Sequence, residues 1–277
     1  MTETLPEDRS DEPITVERIA SDLRDLGLGA GDTVLVHSSL SALGWVCGGP
    51  VAVVDALQQV VTAEGTLVMP AHTGDYSDPG SWQNPPVPDD WEETIRETMP
   101  AYRPEVTPCT RLGAVPDTFR SYPGVERSRH PVVSFAAWGA EAEAITADHS
   151  YDEPLGEQSP LARLYERDAD VLMLGTDHGT NTSLHLAEYR DDLDKEMDPG
   201  GAPVIRDGER VWLRFVDIEL DTSDFPQAGA AFEEDCPGAV TVGEVGEATA
   251  RRIDQPSLVD FAAEWFTEHR PESLEED

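Results

Sequence analysis

The stretch NTSLHLAEYR, residues 181–190, sets His185 three residues before Glu188. A helix capped by Thr180 or Asn181 carries both side chains on one face, close to its start. A carboxylate beside an imidazole fixes the ring's tautomer and raises its basicity, and that makes a general base. The apolar run DVLMLG just upstream reads as a buried strand. It would deliver the pair to the rim of a sheet, where open α/β sheets place their ligands. The same spacing also suits a solvated pair on a helix surface.

A second candidate is VLVHSSLSALG, residues 34–44. His37 ends an apolar run, and Ser38, Ser39, Ser41 and Gly44 follow. A strand end that passes through small hydroxyl residues toward a helix can aim backbone N–H groups at an anion or a carbonyl. A serine-rich turn reads the same way. A third feature is a local inversion of charge. Arg103, Arg111, Arg120, Arg127 and Arg129 stand against Glu105, Asp117 and Glu126 alone. The planar guanidinium suits phosphate, although surface acids elsewhere are equally suitable partners. Together these features suggest an anionic, phosphate-bearing partner and a His–Glu base. A rival reading gathers His37, His72, His178, His185 and Glu188 around zinc or iron as a metal-dependent hydrolase. No HExxH occurs to support it, and no GxSxG, GxxxxGK[ST] or GxGxxG motif points to other chemistry.

The surrounding pattern is that of a layered α/β sheet. Val16, Ile19, Ala20, Leu23 and Leu26 fall at helical spacing, with Gly29 or Gly31 as the stop. TVLVH and GTLVMP read as buried strands, with a helix starting at Pro50 between them. Residues 71–108 lose all periodicity and are rich in proline, tryptophan and acids, a lid-like insertion. Regular structure returns with VVSFAAWG, AEAEAIT, SPLARLYERD, DVLMLG and NTSLHLAEYR, then a strand at ERVWLRFVDIEL and a closing helix from Leu258 to Phe266. This describes one domain over residues 13–277, behind a disordered acidic leader at 1–12.

Fifty-six acids oppose nineteen bases, a formal charge of −37, and Lys195 is the single lysine. The acids are spread along the chain, which suits a surface adapted to a salty cytoplasm. They argue against nucleic acid, which such a surface repels. Cys47, Cys109 and Cys236 are odd in number and far apart, as in a reducing compartment. The acidic N-terminus has no signal-peptide core, and no apolar run is long enough for a membrane span, so the expected location is cytoplasmic.

Several ordered motifs resemble the aminoglycoside 3-N-acetyltransferase family: VLVHSSLSALGWVCGGP, GTLVMPAHT, TPCTRLGAVPDTFRSYPGVERSRHPVVSFAAWG, PLGEQSPLARLY and NTSLHLAEYR. The similarity runs from about residue 15 to 268. It implies an α/β/α fold distinct from the common N-acetyltransferase superfamily. It also implies transfer of an acetyl group from acetyl-CoA to the 3-amino group of a 2-deoxystreptamine aminoglycoside or a related cationic amine, with no metal. His185 corresponds to the catalytic histidine and Glu188 to its acidic partner. His37, Ser38, Ser39, Ser41 and Gly44 lie where the family holds the pantetheine and pyrophosphate of CoA, with His37 also near the reacting carbonyl. Thr110 and Arg111 fall in the stretch that lines the same cleft. His72 and the lid acids Asp75, Asp78 and Glu92 are left to meet the cationic acceptor. The acidity fits a haloarchaeal member, and a monomer or a homodimer is compatible with the resemblance.

Overall fold

The computed structural model describes residues 12–83 and 85–270. Apart from Glu12, the expected leader lies outside the described residues. Helix α1 (Val16–Asp25) is capped by Thr15, whose hydroxyl accepts from the Arg18 amide at 3.2 Å. It ends before Gly27, whose φ of +92° only glycine adopts without strain. The stop is therefore earlier than Gly29 or Gly31.

Strand β1 (Thr33–Ser38) leads through a short 3-10 turn to α2 (Pro50–Val61), and β2 (Thr66–Pro70) follows. Among the described residues, the stretch expected as a lid, 71–108, holds three 3-10 turns and one helix, α3 (Glu92–Thr98), which the sequence pattern does not announce. Next come α4 (Ala114–Phe119), β3 (Glu126–Arg127), β4 (Phe135–Gly139), α5 (Ala142–Thr146) and α6 (Pro160–Tyr165). Strand β5 (Asp170–Leu174) then precedes α7 (Ser183–Glu188). A long hairpin of β6 (Met197–Arg206) and β7 (Glu209–Ile218) stands apart as its own sheet. Helix α8 (Phe225–Asp235), strands β8 (Val240–Val245) and β9 (Ala248–Asp254), and α9 (Gln255–His269) complete the chain. Of these last four, only α9 is foreseen.

Among the described residues, seven strands form one sheet in the order β3-β4-β2-β1-β5-β9-β8. At its centre β1 runs parallel to both β2 and β5, while β4 and β9 pair antiparallel on either side. The central strands are apolar on both faces because both faces are covered. Val34, Val36, Leu67, Met69, Leu172 and Leu174 pack toward α1, α2 and α4. Leu35, Val68, Val171 and Met173 pack toward α5 to α9. The result is a three-layer α/β/α arrangement, as expected. The C-terminal ends of β1, β2 and β5 share one rim of the sheet, and there the candidate residues gather.

Candidate active site

Helix α7 follows β5 through a 3-10 turn and is capped at Thr182, one residue past Asn181 and two past Thr180. Asn181 still contributes, since its side-chain carbonyl accepts from the Ser183 amide at 3.2 Å. His185 and Glu188 share a face, and His185 Nδ1 lies 2.7 Å from Glu188 Oε2. This is no solvated pair, because Glu188 is only 1% exposed. Its other oxygen, Oε1, accepts from the Asp221 amide at 2.9 Å and from Arg270 Nη1 at 2.8 Å. A carboxylate so held accepts from Nδ1–H, which fixes the tautomer and leaves Nε2 with its lone pair. Phe225 packs edge-on against the imidazole, 5.0 Å between centroids.

The imidazole lines a cavity of about 290 Å³ together with His37, Ser38, His72, Arg111 and Thr176. His37 and Ser38 are the last two residues of β1, His72 follows β2 and Thr176 follows β5, so each of the parallel strands contributes to the wall. Ser38 Oγ, His72 Nε2 and Thr176 Oγ1 are buried with no hydrogen-bond partner among the described residues. Buried polar atoms are rarely left so unless a ligand or water meets them. Two larger cavities adjoin. One, of about 620 Å³, is lined by Ser38, Ser39, Ser41, Gly44 and Gly49 at the start of α2. The other, of about 560 Å³, is lined by His72, Asp75, Trp82 and Thr110 under the lid. Arg111 and Leu112 border all three cavities. Arg111 holds a φ of +61°, a costly conformation for a side-chain-bearing residue, at the junction.

The other expected residues divide. Asp78 and Glu92 line neither cavity; both grip Arg96, Asp78 at 2.6 Å and Glu92 at 2.8 Å, and so pin α3 to the lid. Of the five arginines between 103 and 130, Arg111 lines these cavities. Arg120 pairs with Asp117 at 2.7 Å. Arg127 is buried among carbonyl oxygens rather than facing an anion. His37, His72 and His185 do share a cavity, yet among the described residues no three His, Cys, Asp or Glu side chains are grouped to hold a metal ion. The metal-hydrolase reading gains no support. Sequence reasoning missed Asp221, Phe225 and Arg270, which reach the pair from 33 or more positions away. No local signal connects them to it.

Burial pushes the His37 imidazole down to about 3, with His185 and His178 adding to the effect. His72 is likewise held at about 3, chiefly by burial, and His149 at about 4. His37 is therefore a neutral, weakly basic ring near neutral pH, and its Nε2 accepts from the Thr182 amide at 3.4 Å. In the unfolded chain these rings protonate near pH 6.5. Their native packing is fully stabilising above that pH and is progressively lost as pH falls from 6.5 toward 3. The slope is up to about 1.4 kcal/mol per pH unit for each ring. In molar KCl, where acid self-repulsion is screened, unfolding free energy should already decline between pH 6.5 and 5. A flat curve over that range would contradict the neutral, buried state of these histidines.

An imidazole aimed into a narrow chamber, with a larger cavity opening on either side, is the layout of a two-substrate group-transfer enzyme. The chain belongs to the aminoglycoside 3-N-acetyltransferase family, whose model matches residues 35–267. It is 49% identical over 255 residues to the SPbeta prophage-derived aminoglycoside N(3')-acetyltransferase-like protein YokD of Bacillus subtilis, covering 92% of this chain and 93% of that one. Aminoglycoside N(3)-acetyltransferase VII of Streptomyces paromomycinus is 40% identical over 273 residues, covering 94% of each. The crystal structure of YokD superposes with a TM-score of 0.92 at 46% identity, covering 95% of this chain and 97% of that one. A binary complex of AAC-IIIb with CoASH gives 0.83 at 30% identity, covering 93% and 97%. The expected fold and family are borne out, and the activity is acetyl-CoA-dependent N-acetylation of an aminoglycoside-type amine.

Proposed function

We propose a direct, sequential transfer with His185 as general base. The observation that carries it is the buried Glu188 on Nδ1, which leaves Nε2 open to the chamber where both larger cavities meet. Acetyl-CoA lies along Ser38, Ser39, Ser41 and Gly44, its phosphates toward the start of α2 and Arg111. Helix N-termini favour anions. The acceptor enters under the lid beside His72, Asp75 and Thr110, where two buried polar atoms lack partners among the described residues. His185 Nε2 takes a proton from the acceptor ammonium, and the freed amine attacks the thioester carbonyl. The C–N bond forms, the adduct nitrogen gives its second proton to water, the C–S bond breaks, and the leaving thiolate takes the proton held on the imidazolium. The Ser38 hydroxyl, which has no partner among the described residues, stabilises the oxyanion, an effect on the order of 3 kcal/mol per donor. His37 acts there as a neutral ring.

The acceptor is the 3-amino group of a 2-deoxystreptamine aminoglycoside, a reading supported by the sisomicin complex of AAC-VIa among the similar structures, at 31% identity. Thiol release from acetyl-CoA, measured across aminoglycosides and simple amines in molar KCl, tests this. Release with the aminoglycosides well above simple amines is expected. Release no greater than with water alone would defeat it.

The charge supports work in a reducing, salt-rich cytoplasm, and no helix among the described residues is long and apolar enough to cross a membrane. At 0.01 M salt the Debye length of about 30 Å lets the surface acids repel one another across the molecule, whereas at 1 M it is about 3 Å. The melting temperature should rise by roughly 10 °C or more between these limits. A flat response would mean that the acids are compensated locally.

A further inference from the structure

The carboxylate that orients the base is itself held. Arg270 Nη1 at 2.8 Å and the Asp221 amide at 2.9 Å both donate to Glu188 Oε1. That leaves Oε2 to His185 Nδ1 at 2.7 Å. Arg270 directly follows α9. Its Nε and Nη2 fork onto the Asp224 carboxylate at 2.8 and 2.6 Å, and Nη2 also donates to the Asp221 carbonyl at 2.7 Å. The guanidinium stacks on the Phe266 ring, 3.8 Å from its centroid. One planar cation therefore ties together the end of α9, the loop that brings Thr222 to the chamber wall, and the carboxylate behind the base. Only the fork of an arginine can serve these groups at once.

We propose that Arg270 is a positioning residue for acetyl transfer, clamping Glu188 so that Oε2 aims at His185 Nδ1 and Nε2 stays on the acceptor. A carboxylate this deeply buried is costly without its cation. It would take up a proton or swing toward water, and either change releases the imidazole. Arg270 lies outside the residues that the family model matches, 35–267. The inference rests on His185 as the base.

The test measures kcat and both KM values in molar KCl for R270M, R270K, E188Q and the two double variants. R270M should lower kcat by up to about 10-fold, no further than E188Q does, and leave the KM for acetyl-CoA within about twofold, with R270K recovering part of the loss. In the E188Q background, either arginine substitution should cost less than about twofold more, because the clamp then has no charge to position. A mere staple for the end of α9 would lower the melting temperature and leave kcat of the folded enzyme intact, or would cut kcat by one factor in both backgrounds. Either result overturns the proposal. Should R270M not fold, the R270K cycle decides the matter alone, and additivity there refutes the clamp. H185A is measured alongside. Near-normal turnover in H185A defeats the base assignment itself, whereas an inactive H185A beside a fully active R270M defeats only the role of Arg270.

Discussion

His185→Ala will cut turnover by about 100-fold or more while acetyl-CoA binds almost as before. The argument is geometric. Nδ1 is occupied by Glu188 at 2.7 Å, so Nε2 is the atom left to receive a proton in the chamber. His37 and His72 share that chamber but are held near 3 by burial and are only weakly basic. Glu188→Gln keeps the size of the side chain and removes its charge. It should lose less, roughly 10-fold, because it weakens only the ring's orientation and basicity. The double variant should be little worse than His185→Ala, since residues acting as one unit are not additive. Acetyl-CoA affinity, read by calorimetry, should change by less than about twofold in all three variants, because the pair acts on the acceptor's proton. A His185→Ala enzyme with near-normal turnover, on an amine that the parent acetylates, would sink the mechanism. Full additivity would spare the histidine and remove the glutamate from it.

How far the sequence carried this site depended on where each partner sits along the chain. His185 and Glu188 are three residues apart, so helical geometry alone placed them together. The apolar runs of β1, β2 and β5 read as buried strands, and it is their parallel pairing in the structure that puts the residues just beyond them on one rim. The ordered motifs then supplied the family. What stayed hidden was contributed at a distance. Strand β8 leaves Thr241, Val242 and Glu244 exposed, and β9 carries Arg251 and Arg252 in its middle, so neither looks like a core strand until they pair. Arg270 is 82 positions from Glu188, and no periodicity joins them. Charge was the least legible quantity. Composition shows that acids are in excess, but not that Asp78 and Glu92 both turn to Arg96. Nor does it show that Arg120 turns to Asp117 while Arg127 turns to backbone carbonyls.

Arg127→Met should destabilise the fold by on the order of 3–5 kcal/mol, the second large effect expected here. Arg127 lies in β3 and is 8% exposed. Its Nε donates to Ser134 Oγ at 3.1 Å, and its Nη groups donate to the carbonyl oxygens of Pro104, Thr107 and Ala71. The guanidinium also stands over the Tyr102 ring, 5.3 Å from its centroid. Methionine fills the space, yet it leaves the Pro104 and Thr107 carbonyls short of a donor, each a desolvation cost of about 1–3 kcal/mol, while the Ala71 carbonyl keeps Ser134 Oγ at 2.7 Å. Lysine supplies a charge without the fork and should recover only part of the loss. The consequence reaches the site, because these carbonyls close the base of the lid. Ala71 precedes His72, and the His72 carbonyl accepts from the Thr110 amide at 2.9 Å across the same closure. Loosening it displaces the acceptor side of the chamber, so Arg127→Lys should raise the KM for the acceptor more than the KM for acetyl-CoA. An arginine that bound the phosphates of CoA would behave in the opposite way, weakening acetyl-CoA and sparing the fold. Chemical denaturation and the two KM values, all at one salt concentration, separate these outcomes. A loss of stability below about 1 kcal/mol would show that the closure of the lid does not depend on this residue.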